Sequence, residues 1–273
     1  MEELLKVEEL EDKKKSPSIC GISIWRLYSY FIIYGVLGYI IETIFQIANK
    51  GLFESKQSFL YGPFCAVYSV GAIIMILSLK KVQDNKIYLF VGGFLLGTIA
   101  EYIMSLVLEK LFGVVWWDYS NLPLNINGRV CVLFSIYWGA LAIILLSYVN
   151  PKVDQFINML KEKVPYNQQK TIIAIVMIFL TIDALLTCFA LYAFNLRIVH
   201  NYNIEVTNKE EVEIKYEELY GNEILSDIIY KFFDDTKMIR TFPTTKIVDA
   251  EGNIIYLREV LSDIQAYYYK FDF

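Results

Sequence analysis

Residues 97–139 read GTIAEYIMSLVLEKLFGVVWWDYSNLPLNINGRVCVLFSIYWG, with an apolar run at each end. The first run contains Gly97-x-x-x-Glu101, and it ends in a loop that carries Trp117-Asp118-Tyr119-Ser120. The second run begins at Gly128-Arg129. This pattern predicts two membrane-spanning helices, joined by a loop rich in aromatic and polar side chains outside the membrane.

The composition extends this prediction to most of the chain. The 273 residues are 56% hydrophobic, with a mean hydropathy of +0.41, whereas soluble domains are usually about 45–50% apolar. The excess lies in five blocks of about 19–26 residues, the length that crosses a bilayer as a helix. We therefore predict an all-α, polytopic transmembrane bundle and, since no long basic stripe occurs, no nucleic-acid partner. The predicted spans cover about 24–48, 62–80, 87–112, 129–149 and 170–195.

The remaining segments predict three extramembrane regions. Residues 1–23 form a short charged tail, and 150–169 form a polar linker that contains Pro151 and Pro165. Residues 197–273 are charged and then rich in Tyr and Ile, without another span. For this last region we predict a small mixed α/β domain, with helix over 208–235 and a turn at 249–253 between strands 244–248 and 253–258.

The lysine and arginine residues predict the orientation. Twelve lie in the N-terminal flank, the 80–86 loop and the 150–170 loop, against four in the opposite loops. Because cytoplasmic loops carry the excess of Lys and Arg, the N-terminus is predicted to be cytoplasmic. Five spans then place the C-terminal domain, residues 197–273, outside the cytoplasm.

Several ionisable residues fall inside or beside the predicted spans, where a charge costs about 2.5–3.5 kcal/mol on insertion scales and usually faces the bundle interior. Glu42 follows Gly38, and Glu101 follows Gly97, by one helical turn on the same face. We interpret these groups as a hypothetical substrate or ion pathway. The set consists of Glu42, Glu101, Glu109, Arg129 and Asp183.

An internal repeat relates the first two spans to the next two. The Gly-x-x-x-Glu motif recurs after 59 residues, and a Gly-x-x-Cys-x-x-x-Ser motif that begins at Gly62 recurs after 66 residues at Gly128. Two-span units insert with the same orientation, so the repeat is parallel and predicts a pseudo-twofold axis along the membrane normal. Glu42 and Glu101 would then face each other, with Arg129 as their countercharge.

Other chemistry finds little support in the sequence. The four cysteines are far apart and form no CxxC or zinc spacing, and His200 is the single histidine. We expect no metal, no cofactor and no catalytic residue, and hence no enzyme.

The loop sequences resemble one family. Phe59-Leu60-Tyr61-Gly62-Pro63, Trp117-Asp118-Tyr119-Ser120 and Asn125-Ile126-Asn127-Gly128-Arg129 are similar to the bacterial ABC-transporter permeases called CmpB-like or type IV. The similarity is close over about 24–149 and looser elsewhere. It implies a multi-pass protein of the bacterial cell membrane. The outer-loop motif it marks consists of Gly62, Pro63, Trp117, Asp118, Tyr119, Ser120, Asn125 and Gly128.

Four functions fit these observations. The first is a permease subunit, which lacks a nucleotide-binding loop of its own and needs a separate ATPase on the 150–170 segment. Five spans are few for a pathway, so it would act as a homodimer or hetero-oligomer. The alternatives are a non-catalytic envelope or scaffold protein, a proton-coupled carrier, and a membrane-embedded enzyme acting on lipid headgroups.

Overall fold

The computed structural model describes residues 17–112 and 117–271. Positions 1–16 of the predicted tail, 113–116 of the second loop and 272–273 lie outside the described residues. The helices are α1 (Ile24–Lys50), α2 (Ala66–Leu79), α3 (Lys86–Phe112), α4 (Val132–Ile144), α5 (Asn150–Lys163), α6 (Tyr166–Asn201), α7 (Lys209–Tyr220), α8 (Glu223–Phe232), α9 (Asp235–Thr241) and α10 (Leu257–Val260).

Four helical stretches among the described residues are long and apolar enough to cross a membrane. They are Ile24–Lys50, Lys86–Val107, Val132–Lys163 and Tyr166–Asn201. A span needs about 17–25 residues, because a helix rises about 1.5 Å per residue across about 30 Å of hydrocarbon. The spans predicted at 24–48, 87–112 and 170–195 correspond to α1, α3 and α6.

The segment predicted as a span at 62–80 forms a shorter helix, which is not one of the four stretches long enough to cross a membrane. Helix α2 has 14 residues and begins only at Ala66, with Cys65 as its N-cap. Gly62 has a φ of +84°, a left-handed conformation that does not belong to a right-handed helix. Gly62 and Pro63 therefore precede the helix, although the predicted span begins at residue 62.

The predicted linker at 150–169 is mostly helical. A five-residue π-helical stretch, Leu145–Val149, joins α4 to α5 and makes one continuous helix of 32 residues. Pro151 lies at the start of α5. Proline lacks a backbone N–H and crowds the carbonyl four residues earlier, and a local π-helical turn relaxes that ladder. Composition predicts the polar linker at 150–169, but it does not indicate that the segment is helical.

The bundle is built from two helical hairpins, α1–α2 and α3–α4, that pack closely through glycines. A Cβ atom on Gly35 would lie 2.1 Å from the Phe64 ring, and one on Gly93 would lie 2.3 Å from Ala142 Cβ. At one end, α5 is fastened to α1, since Arg26 Nε donates to Asp154 Oδ1 at 3.1 Å. The small residues permit the close helix contacts that hold bundles together in lipid.

The C-terminal domain is built around the last turns of α6. Phe194 and Ile198 are fully buried in a core shared with α8, α9 and α10. Arg197 is also fully buried, and its Nε donates to Asp235 Oδ1 at 2.8 Å. The predicted domain boundary near residue 196 therefore lies inside a continuous helix.

The strands are short and pair into two-stranded antiparallel ribbons. The helix predicted over 208–235 is confirmed as α7 and α8. The predicted turn at 249–253 is also confirmed, and Asp249 Oδ1 accepts from the Asn253 amide at 2.7 Å. The ribbons are β1–β2 (Ser18–Ile19, Ile22–Ser23), β3–β8 (Leu52–Phe53, Tyr269–Lys270), β4–β5 (Asn125–Ile126, Val130–Cys131) and β6–β7 (Lys246–Val248, Ile254–Tyr256).

Candidate functional site

Glu101 is a buried carboxylate in the middle of α3, with 6% of its surface exposed. Its Oε1 atom accepts from the Tyr119 hydroxyl at 2.9 Å, and its Oε2 atom accepts from Trp138 Nε1 at 3.1 Å. Gly97, one turn earlier, lies beneath the indole, since a Cβ there would be 2.4 Å from Trp138 Cβ. Both carboxylate oxygens therefore have a fixed donor, one from the second loop and one from α4.

Tyr119 brings the loop to this carboxylate. Its backbone N–H donates to the Gly128 carbonyl at 2.7 Å, and its ring stacks on Phe134 at a centroid distance of 4.3 Å. Burial raises the pKa of the Tyr119 hydroxyl, and the charge of Glu101 and the hydrogen bond to it act in the same direction. Tyr119 accordingly remains a protonated donor at neutral pH.

An apolar crevice lies beside Glu101, between the two hairpins. It runs between α2 and α3, with Trp138 of α4 as a third wall. Glu101 is the one ionisable side chain among its lining residues, and Gly71 and Gly97 flatten two of the walls. The surface that the crevice exposes is wholly apolar, since both Glu101 oxygens are bonded to Tyr119 and Trp138.

The first hairpin repeats this local arrangement around Glu42. The Tyr68 hydroxyl of α2 donates to Glu42 Oε1 at 2.7 Å. Tyr68 also covers Gly38, because a Cβ on that glycine would lie 2.3 Å from Tyr68 Cβ. In each hairpin, therefore, an aromatic side chain covers the glycine of Gly-x-x-x-Glu and donates to the carboxylate one turn later.

The polar residues of the second loop bind mostly to each other. Asp118 Oδ1 accepts from the Ser120 amide at 2.9 Å and from the Ser120 hydroxyl at 2.6 Å. Asn125 Oδ1 accepts from the Gly128 amide at 3.0 Å, and Trp117 Nε1 donates to the Arg129 carbonyl at 2.8 Å. These bonds close the loop on itself, so the motif recognised in the sequence has a structural role.

Arg129 has a different partner from the one predicted. Its guanidinium forms an ion pair with Glu109 and donates to Ser105 Oγ at 3.1 Å. Glu101 takes its two donors from Tyr119 and Trp138 instead. The structure thus brings Arg129 and Glu109 together, while the predicted role of Arg129 as the countercharge of Glu42 and Glu101 finds no contact among the described residues.

Asp183 of α6 contacts the first loop, the segment of residues 51–65 that joins α1 to α2. Its Oδ2 atom accepts from the Tyr61 amide at 3.1 Å, and Thr187, one turn later, accepts from the Leu60 amide at 2.9 Å. Asp183 is 2% exposed, and within the described part of the chain its Oδ1 atom has no hydrogen-bond partner. Asp183 therefore fixes the backbone just before Gly62 against α6.

The C-terminal domain contacts both loops, and the sequence analysis did not predict these contacts. Lys246 of β6 is 2% exposed and pairs with Asp118 Oδ2 at 3.5 Å, while its ammonium lies 4.6 Å from the centre of the Tyr256 ring. Burial of Asp118 is outweighed by the Ser120 hydrogen bonds and the Lys246 charge, which hold the pKa of Asp118 below its ordinary value. On the first loop, β3 pairs with β8. A lysine in a short strand gave no sequence signal of this role.

The described residues contain no group of three or more His, Cys, Asp or Glu side chains that could hold a metal ion. The four cysteines are free thiols. The ionisable groups of the site are thus paired with aromatic donors, an arginine and backbone amides.

The four long apolar helical stretches among the described residues fit a helical membrane protein. The family described as "Putative ABC-transporter type IV" (CmpB) matches residues 29–188, more than half of the chain, and the chain belongs to this family. The resemblance seen in the loop motifs is thereby confirmed, and it extends through most of α6. No curated protein and no solved structure matches the chain.

Proposed function

We propose that this chain is the membrane-embedded permease subunit of an ABC-type transporter, driven by a separate ATPase subunit. The observation that carries the proposal is Glu101, a buried carboxylate on the wall of an apolar crevice between two hairpins. Ionisable residues inside spans are costly and usually mark a substrate or ion pathway. The sequence has no Gly-x-x-x-x-Gly-Lys-[Ser/Thr] loop, so ATP hydrolysis requires another chain.

The proposed topology has five crossings, with α2 as the short one. Helix α2 connects the loop that carries Gly62 to the turn at Lys80–Val82. At that end Leu79 packs against Gly92 of α3, and the Lys86 ammonium lies 6.0 Å from the centre of the Tyr148 ring. These contacts support the proposal that α2 crosses from one end of the bundle to the other. With the lysine and arginine distribution, five crossings put the N-terminus in the cytoplasm and the C-terminal domain outside.

A parallel two-span repeat is part of the proposal. Gly62 and Gly128 both have positive φ, at +84° and +65°. Cys65 and Cys131, three residues later, are both N-caps of the helix that follows. Together with the matching aromatic cover of each Gly-x-x-x-Glu motif, these local features support a pseudo-twofold relation between the hairpins.

The proposed ATPase-docking surface is the exposed face of α5. Phe156, Met159 and Leu160 are 47%, 41% and 37% exposed on this otherwise polar helix. The Arg26–Asp154 ion pair at 2.5 Å fastens α5 to the first span. A rigid helix that presents apolar side chains beside the membrane end of the bundle is suited to pass movement from a bound ATPase to the spans.

The test is purification of the tagged chain from its native cells in mild detergent, with mass spectrometry of the proteins that co-elute. We expect a stoichiometric ATP-binding subunit. A Phe156→Asp variant should no longer bind this ATP-binding subunit. The control is Gln155→Asp, which adds the same charge at the preceding residue without removing an apolar side chain and should retain binding. Purification as a monomer or homodimer without any ATPase would overturn the permease proposal.

A scaffold function is the second candidate, and one observation favours it. The polar side chains of the second loop form hydrogen bonds with one another, and Asp118 forms an ion pair with the C-terminal domain. A non-transporting envelope protein needs no more than such a rigid outer surface. Copurification with a non-ATPase partner, together with unchanged function after loss of the Glu101 charge, would establish this alternative.

A further inference from the structure

Helix α8 of the C-terminal domain has two adjacent apolar faces, and the domain covers only one of them. Ile229 is fully buried in the domain core. Ile224, Ile228 and Phe232 are 76%, 45% and 46% exposed. They lie four residues apart, so they form one stripe along the helix. The uncovered stripe is therefore a continuous apolar surface and not a set of scattered residues.

The charged residues of α8 lie beside this stripe, and at one end of it the Lys231 ammonium is 5.6 Å from the centre of the Phe232 ring. At 100° per residue, Glu223, Asp227 and Lys231 lie within about 80° of each other, on the side away from Ile229. The exposed stripe lies between this charged side and the buried side. A helix with a charged side opposite its apolar side can lie in the plane of a membrane surface.

Contacts of α8 locate it at the edge of the lipid-facing surface. Phe233, the residue after α8, makes an edge contact with Phe189 of α6 at 6.2 Å. Leu185 and Leu186, one turn below Phe189, are 67% and 39% exposed on the apolar outer surface of α6. Tyr192, nearly one turn above, is 43% exposed. The lipid-facing surface of the span thus reaches the level at which α8 ends.

We propose that α8 is an interfacial helix, and that Ile224, Ile228 and Phe232 enter the lipid leaflet on the side of the C-terminal domain. Its occupant is the bilayer that surrounds the spans, because α8 ends beside Phe189 of α6, at the level where apolar side chains of that span are exposed. Interfacial helices bury their apolar face about 5–10 Å into the headgroup and acyl boundary, which suits side chains at this level. The inference does not depend on the permease proposal.

The test measures lipid and water access on the full-length protein in phosphatidylcholine vesicles. A nitroxide label is placed by Ile228→Cys in a background with Cys20→Ser and Cys188→Ala. Asp227→Cys, on the charged side of the same turn, is the matched control. We expect the label at 228 to collide readily with oxygen and several-fold less with a water-soluble nickel chelate than the label at 227.

Two results would overturn the proposal. Equal nickel access at both positions would mean that the stripe faces water. Low access to both reagents at 228 would mean that protein, such as a second copy of the chain, covers it. Ile224→Cys provides a second reading at a site that is 76% exposed, so loss of folding in one variant does not decide the result.

Discussion

Single residues determine how the second loop meets the membrane-spanning helices. Gly128 has a φ of +65°, and the Asp118 and Ser120 side chains lie directly against its α-carbon. Tyr119 extends from the same turn to Glu101. The loop geometry and the environment of the buried carboxylate therefore depend on each other.

A Gly128→Ala substitution should destabilise the protein by about 2–4 kcal/mol, from backbone strain and overpacking together. The left-handed conformation costs an alanine about 1–2 kcal/mol, and the new Cβ would lie 2.4 Å from Ser120 Oγ and 2.9 Å from Asp118 Oδ1, which displaces both side chains. Gly62→Ala is the matched control, because its φ is also positive but no atom lies within 4 Å. Detergent unfolding curves should give a control loss of only about 1–2 kcal/mol; equal losses would contradict the steric argument.

A Glu101→Gln substitution should leave the fold intact and abolish activity. The glutamine oxygen can accept from Trp138 Nε1, and its amide can donate to the Tyr119 hydroxyl, so both contacts survive. Glu101→Ala leaves two buried donors unpaired, at about 1–3 kcal/mol each. The measurements are unfolding in detergent and ATP hydrolysis by the purified complex. Full activity in the glutamine variant would show that the carboxylate has no role in the function.

At the scale of elements, helix contacts depend on which face of each helix is covered. The sequence predicts α1, α3 and α6 well, because length and hydropathy suffice to define a span. It does not indicate that Trp138 covers Gly97, since helices that are apolar on all sides carry no periodicity that marks the buried face. The sequence also did not predict the start of α2 at Ala66. Residues 62–65 are apolar enough to continue the helix, and the left-handed φ of Gly62 has no signal in hydropathy.

Adjacent glycines in α3 test the packing of α3 on α4. Gly93→Ala should cost about 1–3 kcal/mol, the range for overpacking. Its Cβ would lie 2.3 Å from Ala142 Cβ and 2.9 Å from the Trp138 carbonyl oxygen. Neither atom can move unless the backbone of α4 moves. Gly92→Ala meets only the flexible end of Leu79 and gains about 1 kcal/mol of helix propensity. If both variants unfold at the same denaturant concentration, the close contact is absent.

At the scale of the whole molecule, the C-terminal domain connects elements that are far apart in sequence. It binds the first loop through the β3–β8 ribbon and the second loop through Lys246 and Asp118. Sequence reasoning predicted the domain and its β6–β7 turn but not these attachments. Pairing between residues more than a hundred positions apart leaves no local pattern in the chain.

The Lys246–Asp118 pair should make stability dependent on pH in the acidic range. Because the folded-state pKa of Asp118 lies below its ordinary value of 3.8, its contribution is complete above that value and is lost as pH falls through the lower folded pKa. Asp118→Asn, which strands a buried ammonium, should cost about 2–4 kcal/mol at neutral pH. Melting curves of the two proteins should differ by a constant amount from pH 5 to 7 and converge below about pH 3.8; a constant difference at all pH values would exclude the pair as its cause.

The 36-residue helix α6 connects the C-terminal domain to the bundle and can act as a lever between them. Asp183 and Asn201 are 18 residues apart on one rigid rod, a distance of about 27 Å. A 10° tilt about the level of Asp183 displaces the top of the helix by about 5 Å. The C-terminal domain that surrounds the end of α6 contacts both loops, so a tilt of α6 would displace the two hairpins together.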